Sequence, residues 1–476
     1  MDYTEAETQR LWLLAGHVKK LSYCNSLITA LYNKHPTLDK IETTFSPVNA
    51  DGTCNYKIVD STNLGIIPGS LADNFNFCYG DPSDPKVAWR NPHERQTVEI
   101  FGKILGIEDV SGYMTSGGSE ANLAAIWWCK LNLTMVSRAK IGEFKERLLQ
   151  LESVAQESKN FKEIYQTKKI LKRLYQPILV CTAPPKTHSC IIKAAQVLEI
   201  KTLYIEPNED GSMNTQSLRG RLAELKDQPY ISYPKLRLYT SQPYINFIVA
   251  LNFGTTFGPA FDDVFEVRQV FDEMKNEEWR YAVHVDGAMY GPTLPILKQY
   301  GEKSRSITEC GIDTFTISLW KFMGVQIPCG VALSTKSFTD KAFEDDNFIE
   351  YVQMQDKLAL SGTRSGIAAA SSLNVLKSLK MHEDLATLEK VVNYCLELTD
   401  YFVEKLLEFF PREQIHRKYF NIVFPKGLIL DAFINEHMLM RYGADQLQAI
   451  MLVNVNRDLI DEFFEKVKTT QPVLNQ

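Results

Sequence analysis

Residues 247–287 read FIVALNFGTTFGPAFDDVFEVRQVFDEMKNEEWRYAVHVDG, and this pattern decides the fold. Two apolar runs, FIVALNF (247–253) and YAVHVDG (281–287), flank a segment from Phe265 to Lys275 whose apolar residues recur at helical spacing. Runs with so little polar alternation predict strands buried on both faces, and the helix between them returns the chain over the sheet. Upstream, ILVCTA (178–183) and TLYIE (202–206) repeat the pattern, with helices predicted over Ser189 to Leu198 and Thr215 to Leu225. Strands separated by helices predict an α/β fold with a mostly parallel sheet. Ligands of such sheets bind outside the carboxyl ends of the strands, which picks out His188, Gly254-Thr255-Thr256 and Asp286. His284 and Asp286 lie two apart on one strand face and are within reach of a mutual hydrogen bond.

Downstream, TFTISLWKFMGVQIPCGV (314–331) alternates Phe315, Ile317 and Leu319 before a single lysine, Lys321. Burying a lysine in an apolar frame disfavours its charge and frees the amine for Schiff-base chemistry. By itself the stretch favours an ordinary strand-end lysine whose stem runs along apolar surface to water.

The 476 residues carry 45% hydrophobic and 23% charged residues, the balance of a soluble globular protein large enough for two or three structural units. A net charge of -6 gives no reason to expect nucleic acid or an anionic membrane as partner. The start, MDYTEAETQR, resembles neither a secretory nor a transit peptide, and no apolar run approaches a membrane span. Nine scattered cysteines without a CxxC pair predict free thiols in a reducing cytoplasm. No metal-ligand set is expected.

Residues 1 to about 45 show helical periodicity (Leu11, Leu14, Val18, Leu27, Leu31), fitting an arm on a partner subunit or a helix of the core. Pro68-Gly69, Gly80-Asp81-Pro82 and Asn91-Pro92-His93, with Phe75, Phe77, Tyr79 and Trp89 between them, form turn-rich loops suited to a pocket mouth or a surface connection. In GYMTSGGSEANLAAIWWCK (112–130), an apolar stretch breaks at Ser116-Gly117-Gly118-Ser119 and a helix is predicted from Glu120. Glycines allow close approach and free N–H groups at a helix start attract phosphate, while Ser119 is also an ordinary cap. Residues 131–176 form a charged block predicted as an exposed pair of helices inserted into the large domain. After residue 340, helices (Ile367 to Lys380, Leu385 to Phe409), strands (Tyr419 to Phe424, Ala449 to Val453) and a helix from Asp458 predict a smaller α+β domain.

Taken together, these residues resemble the pyridoxal-phosphate (PLP) decarboxylases of group II, among them bacterial histidine decarboxylases and plant serine decarboxylases. The resemblance covers about residues 70–465 outside the charged block. It rests on Gly80-Asp81-Pro82; His93-Glu94-Arg95-Gln96; Gly112-Tyr113, Thr115, Gly117-Gly118-Ser119-Glu120 and Asn122-Leu123; and His188 within THSCIIKAA. Further on come Asn252, Gly254-Thr255-Thr256, Gly258, Ala260 and Asp262-Asp263; His284 to Ala288; Ser318, Lys321, Phe322, Gly324 and Pro328 to Val331; and Tyr351 with Asp356.

The resemblance implies the aspartate-aminotransferase fold (fold type I), with a large domain over 71–340, a small C-terminal domain over 341–476 and a helical segment over 1–70. It implies PLP held covalently by Lys321, its ring nitrogen paired with Asp286 and its ring stacked under His188. Ser116, Gly117, Gly118, Ser119, Thr255, Ala288 and Ser318 would complete the cofactor site. Tyr351 would return a proton, while Tyr79 and Asp81 would touch substrate. The implied activity is decarboxylation of a histidine-like or small L-amino acid by a cytoplasmic homodimer. Trp320 and Leu319 stand where the family has histidine and glycine, and LALSGTRSG (358–366) carries Thr363 in place of serine, so Thr363 and Arg364 are candidates for a neighbouring subunit's phosphate. These departures keep two other outcomes open: decarboxylation coupled to oxidation or transamination, and a non-catalytic binding protein using the charged block.

Overall fold

The computed structural model describes residues 92–153, 161–227, 245–258, 260–274, 279–343, 348–349, 354–355, 358–362, 364–427, 429, 434 and 439–474. The N-terminal segment and Tyr79, Asp81, Tyr351, Asp356 and Thr363 lie outside the described residues.

Helix α1 (Pro92–Ile104) leads into β1 (Val110–Thr115), and α2 (Gly118–Val136) is followed by α3 (Arg138–Ser153) and α4 (Phe161–Tyr175). The strand–helix alternation then runs β2 (Ile178–Thr182), α5 (Ser189–Val197), β3 (Lys201–Ile205), α6 (Thr215–Asp227), β4 (Ile245–Asn252), α7 (Val264–Met274), β5 (Trp279–Asp286), β6 (Thr314–Ser318) and β7 (Gly330–Thr335). These seven strands make one sheet in the order β1-β7-β6-β5-β4-β2-β3. β7 is antiparallel to both neighbours, and every other pair is parallel. Two reversals restore direction, so β1 runs with β6. The carboxyl ends of β1, β2, β4, β5 and β6 therefore share one edge of the sheet.

Burial explains the strands. All eight residues of β4 and all five of β6 are buried, as a sheet covered on both faces requires. Helix α2 crosses the middle of one face, packing on β5, β6 and β7. Its inward residues include Ala121, Asn122, Ala124 and Ala125, whose small volume brings the helix axis close to the strands. Helices α3 and α4 pack on each other through Ile141, Phe144, Ile170, Leu171 and Leu174. Their outer faces carry the ion pairs Arg147–Glu163 and Lys168–Glu152. The buried amide of Asn246 on β4 donates to Ser137 Oγ (3.1 Å) and Leu174 O (3.1 Å), fixing both ends of this hairpin to the sheet.

Beyond β7 come α8 (Lys336–Ala342), the short pair β8 (Phe348–Ile349) and β9 (Met354–Gln355), α9 (Gly366–Ser378) and α10 (Ala386–Leu406). A four-stranded antiparallel sheet follows, built from β10 (His416–Lys418), β11 (Asn421–Pro425), β12 (Met440–Tyr442) and β13 (Gln446–Ile450) in the order β10-β11-β13-β12. Helix α11 (Arg457–Leu474) covers it with α10 over a separate core that includes Phe402, Phe424, Leu447 and Phe463. The molecule is thus α/β, a seven-stranded mixed sheet joined by a smaller antiparallel-sheet domain. Among the described residues no helix is long and apolar enough to cross a membrane.

Candidate active site

The shared carboxyl edge gathers the residues singled out by sequence. Asp286 ends β5, almost wholly buried, and its Oδ1 accepts the amide of Ala288 at 3.1 Å. Ser318 ends β6 and is buried, and its amide donates to Ala288 O at 2.9 Å. Lys321 lies three residues on, half-buried, in a tight turn where its amide donates to Ser318 O (3.2 Å) and its carbonyl accepts from Gly324 (3.3 Å). His188 caps α5, its Nδ1 accepting the amide of Cys190 at 3.2 Å. Burial pushes the His188 imidazole below its ordinary pKa; the Asp286 carboxylate opposes this, and Lys321 and Lys193 reinforce it. His188 therefore lies within electrostatic reach of both Asp286 and Lys321.

The start of α2 faces the same place. Its cap, Gly117, is extended and makes no side-chain cap bond; the helix begins at Gly118, two residues before the predicted Glu120, and Ser119 is not the cap. Instead, Ser116 donates both its amide (2.8 Å) and its hydroxyl (2.6 Å) to the carboxylate of Glu120. A Cβ added at Gly118 would sit 3.3 Å from Ser318 Cβ and 3.6 Å from Ala288 Cβ, whereas one at Gly117 would meet nothing within 4 Å. Three loop ends thus converge on a helix N-terminus whose first amides have no intrahelical partner, a fitting donor set for a phosphate. With a lysine, a buried carboxylate and a neutral imidazole alongside, the residues present fit PLP.

Thr255 is placed nearby but is occupied by its own loop. Its hydroxyl oxygen is 3.2 Å from Phe257 O and accepts the amide of Ala260 at 3.3 Å. That loop opens at Gly254, where φ is +89° and a Cβ would collide with the Tyr290 ring. Gln448 of β13 clamps it from the small domain, donating to Thr256 O (3.1 Å) and accepting from Gly258 N (2.9 Å). Behind Lys321, Phe322 stacks on Phe420 and Phe420 on Tyr290, at centroid distances of 5.5 and 5.2 Å.

Two expectations are corrected. His284 does not bond Asp286: its Nε2 meets Asn122 Oδ1 at 2.9 Å and its Nδ1 meets Thr314 Oγ1 at 3.0 Å. The adjacent helix and strand supply nearer partners than its own strand does. Complete burial lowers the His284 pKa to about 4. Arg364 pairs within its own chain, its Nε 2.9 Å from Glu94 Oε1, with both side chains buried. Glu94 also accepts the amide of Met114 (2.9 Å), and Ser361 donates to Glu120 (2.8 Å), so Arg364 is tied through Glu94 to β1 and Ser361 to the start of α2. Trp320 is half exposed beside Lys321.

Sequence reading did not single out Asn122, Thr314, Thr316, Glu94, Arg364 or Gln448 as a connected set. A signal existed for the threonines. Thr314, Thr316 and Ser318 alternate with Phe315 and Ile317, so they occupy one face of β6.

Residues 94–424 match the family described as the pyridoxal-dependent decarboxylase conserved domain. The histidine decarboxylase of Vibrio campbellii is 27% identical over 221 residues, 46% of this chain and 50% of that protein. The histidine decarboxylase of Solanum lycopersicum is 24% identical over 404 residues, 83% of this chain and 79% of that protein. The chain thus spans about half the length of the Vibrio relative that it matches. The crystal structure of L-methionine decarboxylase from Streptomyces sp. 590 is similar with a TM-score of 0.59 at 15% identity, covering 93% of this chain and 95% of that one. At that identity the likeness is one of fold.

Proposed function

Because this chain belongs to the pyridoxal-dependent decarboxylase family, we propose that it removes the α-carboxyl group of an L-amino acid as carbon dioxide and releases the amine. The observation that carries this reading is the meeting of Lys321, Asp286 and His188 beside the open N-terminal turn of α2.

When bound, PLP supplies a carbonyl carbon that bonds to amines and a protonated ring that accepts the electron pair left by departing carbon dioxide. Lys321 Nζ would be the amine that holds that carbon, and Asp286 would pair with the ring nitrogen. The amides of Gly118 and Ser119, with Ser318 and the loop at Ala288, would hold the phosphate; Ser116 would act on this turn through Glu120, and Thr255 by shaping its loop. His188 would pack against the ring. Tyr351 delivers the proton that replaces the carboxyl group, a step worth ~10²–10⁴ in rate.

Histidine is the first substrate to test, ahead of serine-like and branched aliphatic side chains, with Tyr79 and Asp81 as contacts. The similarity to histidine decarboxylases from several organisms supports that order. We further assign a homodimer with the site at its interface, domain limits of 71–340 and 341–476 after an N-terminal segment, and a cytoplasmic setting. Six buried free thiols among the described residues support a reducing compartment.

The test is the visible spectrum of purified protein with a panel of L-amino acids while carbon dioxide is trapped. A PLP band lost in Lys321→Ala, with equal carbon dioxide and amine from one substrate, is expected. A band that responds to amino acids without carbon dioxide, or with hydrogen peroxide or a pyridoxamine form, would overturn simple decarboxylation. No band even after added PLP would overturn cofactor chemistry altogether.

A further inference from the structure

Asn122 lies one helical turn beyond Gly118 and is buried to 1%. Its Oδ1 meets His284 Nε2 at 2.9 Å on β5 and accepts the Thr316 hydroxyl at 2.7 Å on β6. Its Nδ2 donates to Cys190 Sγ at 3.2 Å on α5, two residues after His188. One side chain thereby ties the helix start to the strand of Asp286, the strand of Ser318 and the helix capped by His188.

The donor chain also fixes a tautomer. An amide oxygen only accepts, so His284 donates from Nε2; a neutral ring then accepts at Nδ1 from Thr314, whose oxygen in turn lies 3.4 Å from Cys129 Sγ. An amide gives an imidazolium no countercharge, whereas a carboxylate in the same place would attract a second proton onto His284. Asp286, on the ring's own strand, is the charged group that acts on it; Cys129 of α2 reaches it through Thr314 and Cys190 of α5 through Asn122, while Asp313 acts on Cys129 and Lys321 on Cys190.

We propose that Asn122 is a positioning residue: it holds His284 uncharged beside Asp286, leaving that carboxylate's charge to the cofactor ring nitrogen, and it sets the spacing between the phosphate-holding turn and Asp286. The proposal deepens the function proposed above and rests on it.

The test uses the full-length holoenzyme and two readouts other than turnover. These are the pH midpoint of the cofactor's visible band and the rate at which PLP is lost on dilution. Asn122→Asp is expected to move the midpoint about one unit toward lower pH, because an imidazolium at 284 competes for Asp286. It should also speed PLP loss about tenfold. In Asn122→Asp/His284→Gln, which has no imidazole to charge, the midpoint returns to that of His284→Gln while PLP loss stays fast.

An unchanged midpoint in the single variant, or the same displacement with and without His284, would overturn the proposal. Should Asn122→Asp not fold, the isosteric Thr316→Val loosens the same oxygen and is expected to speed PLP loss about fivefold. A wild-type rate there would overturn it equally. Wild-type protein that takes up no PLP at all would mark failure of the proposed function; a wild-type band with an unaffected variant would mark failure of this inference alone.

Discussion

Glu94 and Arg364 are the most consequential single residues outside the cofactor site, because 270 positions separate them and both are buried. A buried pair adds little net stability, but removing one partner strands the other in a low-dielectric interior at a cost of typically ~3–5 kcal/mol. Glu94→Gln is therefore expected to lower unfolding free energy by about that amount, read from urea melts. It should also loosen the Ser361–Glu120 bond, since Arg364 donates to Ser361 O at 3.2 Å while it is held by Glu94. Lys321, Asp286 and His188 were legible from residue type and position at strand ends. The partner of Arg364 was not, because nothing local to a sequence states which distant carboxylate will share its pocket.

At the scale of elements, the start of α2 depends on the absence of a side chain. Gly118→Ala would place a methyl group 3.3 Å from Ser318 Cβ, so that Ser318 must give by a few tenths of an ångström. PLP affinity is expected to fall about tenfold while the thermal unfolding midpoint changes little, which a cofactor titration and a melt would separate. The continuous apolar runs of β2, β4 and β5 were readable because burial on both faces leaves a composition that no exposed segment has. β1 and β7 were less so: VSGYMT and GVALST mix small polar residues with apolar ones, and their burial comes from α1 against β1, α2 against β7 and the pairing of neighbouring strands. The three-residue strands β10 and β12 are shorter than any periodicity can reveal. The His284 expectation failed for a related reason. Shared strand face is a one-dimensional inference, and the nearest donors and acceptors belonged to neighbouring elements.

For the whole molecule, the neutral interior histidine links folding to pH. The folded pKa of His284, about 4, lies below its ordinary 6.5, so the unfolded chain binds more protons between those values. Its contribution is full above pH 6.5 and is lost as pH falls through 4, an acid-side penalty of ~3 kcal/mol at most. Urea melts at pH 7 and pH 4.5 are expected to show a fall in wild type that is smaller in His284→Gln; equal falls would assign acid sensitivity elsewhere.

The reversed strand at the sheet's edge also has a history in time. Among the described residues β1 pairs in this sheet with β7 alone, Val110 opposite Thr335 and Thr115 opposite Gly330. A ribosome adding ~5–20 residues per second needs roughly 10–40 s to cover the stretch between them. Throughout that interval the nascent β1 has helix neighbours but no strand partner in this sheet, and for most of it the glycine turn has no Ser318 to lean on. Pairing of the sheet's edge strand therefore closes late in synthesis.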